Sequence, residues 1–133
     1  MLNPSTATDT EDDPTIRTCM GFADRLFATT LEVVNLYAQR ATKPSALPIL
    51  SHPVGPRNDD WIASTVSGAD MVIAAWGTFP YERMPGGRDR AERVTRILKD
   101  HGPGDVHCLA KTRHGFPSHP LYLPYGNKPE VWA

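Results

Sequence analysis

The chain has 133 residues, of which 40% are hydrophobic and 22% charged, and its net charge is −1. That length fits one α/β domain spanning residues 1–133, large enough to bury a core without metal or disulfide staples, and the composition excludes global disorder. Near-neutral charge excludes a broad electrostatic pull toward nucleic acid or anionic membrane, so any nucleic-acid contact is local or the ligand is small.

No apolar run approaches the roughly 20 residues of a membrane span and no signal peptide opens the chain, so we expect a cytoplasmic protein with no membrane partner. Cys19 and Cys108 lie inside apolar segments. We expect buried, reduced thiols there, and two thiols cannot supply the four ligands of an iron–sulfur cluster. No cofactor is expected.

Asp13-Pro14-Thr15-Ile16 reads as a helix start, with Asp13 capping and Pro14 at the first helical position. Ile16, Cys19, Met20, Ala23, Leu26 and Phe27 then recur at three- and four-residue steps, which predicts one apolar face turned to the core. Leu31 to Leu36 is short, apolar and β-branched, as a buried strand is. Proline-rich linkers follow at Pro44 to Pro48 and Pro53 to Pro56. A second helix is predicted from about Asn58 to Ser67, burying Ile62, Val66 and Trp61.

Met71 to Ala75 is a second apolar strand, ending at Trp76-Gly77. A Gly/Pro-rich loop leads to a third helix from about Asp89 to Asp100, with Ala91, Val94, Ile97 and Leu98 inward. The arginines Arg88, Arg90, Arg93 and Arg96, interleaved with Asp89 and Glu92, read as its solvated face. Asp105 to Ala110 is a further strand, and the chain from Lys111 onward reads as mostly irregular.

Strands alternating with helices predict a three-layer α/β/α domain with a mostly parallel sheet. The first helix needs a strand before it, yet only Met1-Leu2 precede Asn3-Pro4. The expectation is that the first strand begins upstream and is truncated here. Apolar helix faces would then be left uncovered, giving low stability or self-association.

Ligands of such sheets bind beyond the carboxyl ends of the strands. Those positions hold Asn3, Pro4, Ser5 and Thr6, then Asn35, then Trp76 and Gly77, then Lys111-Thr112 leading to Ser118, His119, Pro120 and Leu121. Each alone is an ordinary turn or strand end. Together they bring amides, hydroxyls, an aromatic and an imidazole to one rim. Asn35 stands out, because an amide ending an apolar strand must find partners or cost about 1–3 kcal/mol when buried.

Five segments resemble motifs of the uracil-DNA glycosylases, in the same order. Asn3-Pro4 resembles the water-placing acid-or-amide plus proline, in the form seen in the mismatch-specific branch. Asp13-Pro14-Thr15-Ile16 resembles the start of the following helix, and Val33-Val34-Asn35-Leu36 the strand whose Asn reads the base. Val72-Ile73-Ala74-Ala75-Trp76-Gly77 resembles the next core strand. Ser118-His119-Pro120-Leu121 resembles the late His-Pro segment, where His faces the base oxygen and a nearby Leu props open the duplex.

A fuller likeness joins Met1 to Thr6, Asp12 to Ile16, Val33 to Leu36, Pro53 to Pro56 and His119 to Pro124. These segments resemble an uncharacterised bacterial and phage family, domain of unknown function 1643. That family implies kinship and carries no activity over to this chain.

The glycosylase resemblance implies a uracil-DNA-glycosylase-like fold and hydrolysis of an N-glycosidic bond in a nucleobase, nucleotide or modified base of nucleic acid. Asn3 would place water and His119 would donate to the leaving base. Asn35 would pair with the edge of an everted base. Ser5, Thr6 and Ser118 would touch phosphate, and Tyr37 or Phe79 would stack on the base. An amide cannot act as a general base, and Asp9, Glu11, Asp12 and Asp13 make the first loop unattractive to a DNA backbone. The alternative is a non-catalytic nucleotide-binding or sensing module. A metal hydrolase built on His107, Cys108, His114 and His119 is disfavoured, since adjacent strand residues point to opposite faces.

Overall fold

In the computed structural model the described residues are 1–4 and 13–133. Helix α1 (Pro14–Arg25) begins as its sequence predicts: the Asp13 carboxylate accepts from the amides of Thr15 and Ile16, and Pro14 opens the first turn. A 3₁₀ helix spans Pro44–Ile49 and α2 spans Asn58–Ser67. Strand β1 (Val72–Ile73) is followed by a one-turn helix α3 (Phe79–Glu82) and the long helix α4 (Gly87–His101). Strands β2 (Val106–Cys108) and β3 (Glu130–Val131) complete the order.

The sheet order is β1-β2-β3. β1 and β2 pair in parallel, with Val72 opposite Val106 and Ile73 opposite His107. β3 adds antiparallel to β2, with Val131 opposite His107 and Glu130 opposite Cys108. The fold is therefore mixed α/β with a small three-stranded sheet. The predicted strand over Leu31 to Leu36 takes a looser form. The Met1 amino group donates to the Val34 carbonyl at 2.9 Å, and Leu36 N–H donates to the Met1 carbonyl at 3.0 Å. This is the bonding of a parallel pair, with Tyr37 N–H reaching the Leu2 carbonyl just beyond it. Leu2 and Leu36 both lie in the core.

The core is formed mainly by α2, α4, the sheet and the segment at 36–47, with Leu36, Leu47, Ile62, Val94, Leu98 and Val106 buried. In α4, Ala91, Val94 and Leu98 are buried and Ile97 is half-buried, the face its periodicity predicts. Arg90 departs from the sequence reading: it is 7% exposed. Its position explains this, since residues 90, 94 and 98 recur every four residues on one helical stripe. Trp61 also departs, standing exposed on α2. Cys19 and Cys108 are free thiols, half-buried and buried respectively.

α1 differs most from expectation. Phe22 is its buried residue, whereas Ile16, Met20 and Leu26 are exposed and Phe27 is 92% exposed. Phe22 packs on Tyr125 with ring centroids 5.1 Å apart, and the Arg25 guanidinium lies 4.1 Å from the same ring. The helix ends in a Schellman motif: Ala28 N–H bonds to Ala23 O and Phe27 N–H to Asp24 O. Phe27 occupies the left-handed position of that motif at φ 56°. Glycine is favoured there because an L side chain costs about 1–2 kcal/mol in that region. Phe27→Gly, which gives up almost no packing, is expected to raise unfolding free energy by about 1 kcal/mol in urea titrations. Lower stability of the variant would show that Phe27 makes contacts that outweigh its strain.

Among the described residues no helix is long and apolar enough to cross a membrane.

Candidate functional site

The Asn3 side-chain amide donates to the Pro4 carbonyl at 2.9 Å and to the Ala41 carbonyl at 3.0 Å. Both partners are carbonyls, so the nitrogen must face them and the amide oxygen must face away. Ala41 N–H returns a bond to the Pro4 carbonyl, which clips the two segments together. Among the described residues nothing donates to the Asn3 oxygen, and it remains an acceptor open to a ligand or water. Ser5 and Thr6 lie outside the described residues.

Asn35 is half-buried, and among the described residues its side chain makes no hydrogen bond. Its main chain is held firmly. Asn58, at the start of α2, donates to the Asn35 carbonyl at 2.9 Å and to the Leu36 carbonyl at 3.1 Å. Arg90 Nε donates to the Leu36 carbonyl at 2.8 Å, and its Nη1 bonds Asp59, which also takes Arg93 Nε at 2.6 Å. Asn58 and Arg90 thus fix the backbone that carries Asn35 while leaving its amide unspent. Sequence reasoning missed both. The available signal was Asn58 standing directly before two acidic residues, a pattern that reads equally well as a helix cap.

His119 lies over Gly77. A Cβ added at Gly77 would stand 3.5 Å from His119 Cβ, Gly77 has φ 74°, and its N–H donates to the Pro117 carbonyl at 2.9 Å. The glycine therefore serves the left-handed turn, and an added Cβ would meet His119 only at ordinary van der Waals distance. Leu121 N–H donates to His119 Nδ1 at 3.3 Å, which assigns the imidazole proton to Nε2. Burial lowers the His119 pKa below its ordinary value. The nearby Met1 amino group lowers it further, while Asp13 opposes the shift. The ring is thus neutral at pH 7 and offers one N–H donor. Met1 pairs with Val34 and Leu36 on either side of Asn35, and its amino group is among the charges that act on His119. Asn3 and Asn35 are thus linked through the Met1–Leu2 segment, while His119 packs against Gly77.

Other predicted contacts are placed differently. Tyr37 is 2% exposed and part of the core; burial pushes its phenol up to about 12, with Arg90 opposing. Trp76 is buried, donates from Nε1 to the Tyr81 hydroxyl at 3.1 Å and packs edge-on against Trp132. Both rings are buried, whereas Phe79 is half-buried. Pro120 is fully buried, whereas Ser118 and Leu121 are half-buried, with Ser118 N–H tied to the Ala110 carbonyl. Leu121 borders a shallow groove of about 380 Å³ against Pro14, Arg17 and Thr18 of α1 and against Tyr122.

The family described as "Protein of unknown function (DUF1643)" matches residues 1–121. The chain belongs to that family. The match takes in Asn3, Asn35, Gly77 and His119, and it stops before Tyr125, β3 and Trp132. Comparison with curated proteins and with solved structures returns no match. The likeness to uracil-DNA glycosylases therefore rests on the sequence motifs alone.

Proposed function

We propose that the strand-end site binds a nucleobase, carried by a nucleotide or by nucleic acid, and hydrolyses its N-glycosidic bond. The observation that carries this reading is the bond from Leu121 N–H to His119 Nδ1, which leaves Nε2–H as the ring's donor while burial favours the neutral imidazole. A departing base gathers negative charge on its carbonyl oxygen, and a preorganised neutral donor stabilises that charge as it develops. The unspent Asn35 amide carries a donor and an acceptor, matching the polar edge of a base. The Asn3 oxygen, turned outward by its two amide bonds, can hold the attacking water. It cannot remove the proton, so turnover is slow or needs an activated leaving group.

A second reading has a specific observation in its favour: both Asn3 N–H groups are spent on backbone carbonyls, so the amide itself cannot act as a base. In that reading the chain binds or senses nucleobases without turnover. Single-turnover assays separate the two, using end-labelled oligonucleotides carrying uracil, hypoxanthine or alkylated bases, with nucleosides in parallel. Release of free base is expected, reduced about 10²–10³-fold in His119→Ala and lost with base binding in Asn35→Ala. Tight binding without released base would establish the sensing reading. Wild-type-like binding by both variants would overturn the site.

A further inference from the structure

The four arginines of α4 divide into two pairs with different tasks. Arg90 and Arg93 turn toward Asp59 on α2. Arg96 lines a groove of about 450 Å³ between α4 and the hairpin at 111–117, and Arg88 stands by the Tyr81 and Phe116 rings that bound it. Tyr81 and Phe116 form one wall as a parallel stack, with centroids 3.7 Å apart and planes 3° apart. The α4 side contributes Glu92, Thr95 and Arg96, and His114 and Trp132 also face the space.

The hairpin that carries Phe116 is well tied. Lys111 and Pro117 form a bridge, Thr112 N–H bonds the Phe116 carbonyl at 2.8 Å, and Trp132 Nε1 bonds the Gly115 carbonyl at 2.9 Å. The Arg88 guanidinium carbon lies 5.4 Å from the Tyr81 centroid and 5.8 Å from that of Phe116. With the rings only 3.7 Å apart, those two distances put it beside the stack rather than over either face. A ring edge attracts a cation little, so the guanidinium is not consumed by the aromatics. Residues 88, 92 and 96 recur every four residues, yet among the described residues neither arginine bonds Glu92.

We propose that this groove is a second binding site, for the base and phosphate of a nucleotide unit, taken from a single strand of nucleic acid or free in solution. A planar ring fits against the aromatic wall, while Arg88 and Arg96 meet the phosphates. Glu92 accepts from an exocyclic amine and keeps phosphate to the arginine ends. An acidic peptide would use the same cations but leave the aromatic wall without a planar partner. The proposal is independent of the strand-end reading, because it uses none of Asn3, Asn35 or His119.

The test is fluorescence anisotropy with a labelled twelve-nucleotide thymidine strand, with thymidine monophosphate and a phosphoserine peptide as competitors. Arg88→Gln and Arg96→Gln, both exposed substitutions, are each expected to weaken strand binding about tenfold and to flatten its salt dependence. Phe116→Leu is expected to weaken it comparably without changing the salt slope; its circular dichroism spectrum and Tm report whether the hairpin survives. Lys99→Gln, an exposed residue of α4 outside the groove, should leave strand binding unchanged. Competition by the monophosphate marks a free nucleotide as a ligand, and failure to compete marks the strand, either result being consistent with the site. The proposal is overturned if the strand does not bind, if both arginine variants bind like wild type, or if the phosphopeptide competes better than either nucleotide form.

Discussion

Replacing Asp59 with alanine is expected to lower the unfolding free energy by about 3–5 kcal/mol, because it leaves a buried guanidinium without its counter-ion. Arg90 is 7% exposed, and its Nη2 already lacks a hydrogen-bond partner. The Asp59 carboxylate is its ion-pair partner, and the Leu36 carbonyl its remaining acceptor. Loss of the carboxylate leaves the full desolvation cost of the cation uncompensated. Urea or guanidinium titration reads the effect directly, and a loss under about 1 kcal/mol would show that water reaches Arg90 and does the carboxylate's work.

The same pair predicts a pH dependence. Burial acts to raise the Asp59 pKa, but hydrogen bonds from Arg90 and Arg93 outweigh it and hold the carboxyl below its ordinary value. A group depressed in the folded state contributes stability above its unfolded pKa and loses it as pH falls through the folded value. The wild type is therefore expected to weaken below about pH 4, and Asp59→Asn should lack that part of the decline. The effect reaches the candidate site as well, since Arg90 holds the Leu36 carbonyl next to Asn35.

Gly87→Ala is the second large effect, about 3 kcal/mol of destabilisation or failure to accumulate as soluble protein. A Cβ at Gly87 would stand 2.0 Å from the Pro80 carbonyl oxygen and 2.8 Å from Met84 Cβ. The obstacle is backbone, which cannot rotate aside as a side-chain tip can, so α3 and the start of α4 must separate. Tyr81 lies on α3, so the Tyr81–Phe116 stack should loosen too. Gly68→Ala is the control with the opposite sign. That residue closes α2 at φ −101° with nothing within 4 Å of an added Cβ, so alanine restricts only the unfolded chain and is expected to add about 0.5 kcal/mol. Equal effects at the two glycines would mean that chain entropy, rather than the α3–α4 contact, governs both.

The sequence makes the long elements legible and leaves the short ones obscure, for physical reasons. α1, α2 and α4 announce themselves through apolar periodicity and, for α1, through the Asp13 cap. β3 is two exposed residues held by pairing with β2, so it has no alternation to detect. Arg90 reads as surface because charge usually is; only its stripe with Val94 and Leu98 hints otherwise. Ile16, Met20 and Phe27 read as core because periodicity reports amphipathicity, not whether anything covers the face.

At the site, the choice of Asn35 and His119 as candidates follows from the rule for strand ends. The fate of Tyr37 and Trp76 does not, since an aromatic ending an apolar strand looks the same whether it lines a pocket or fills the core. The family match to residues 1–121 bears out the kinship read from Met1 to Thr6 and His119 to Pro124 as far as Leu121.

The way α1 is attached has a kinetic consequence. Phe22 is its buried residue, and its ring contact is with Tyr125, against which Gly21 also lies so closely that a Cβ there would overlap the phenol. A helix with one buried side chain among the described residues can lift away while α2, α4 and the sheet stay intact. Its amides should therefore exchange with deuterium through a local opening, independent of denaturant at low concentration, while those of α4 wait for global unfolding. Since Asp13 at its head is one of the charges that His119 feels, each such opening would also unmake the electrostatic surroundings of the imidazole.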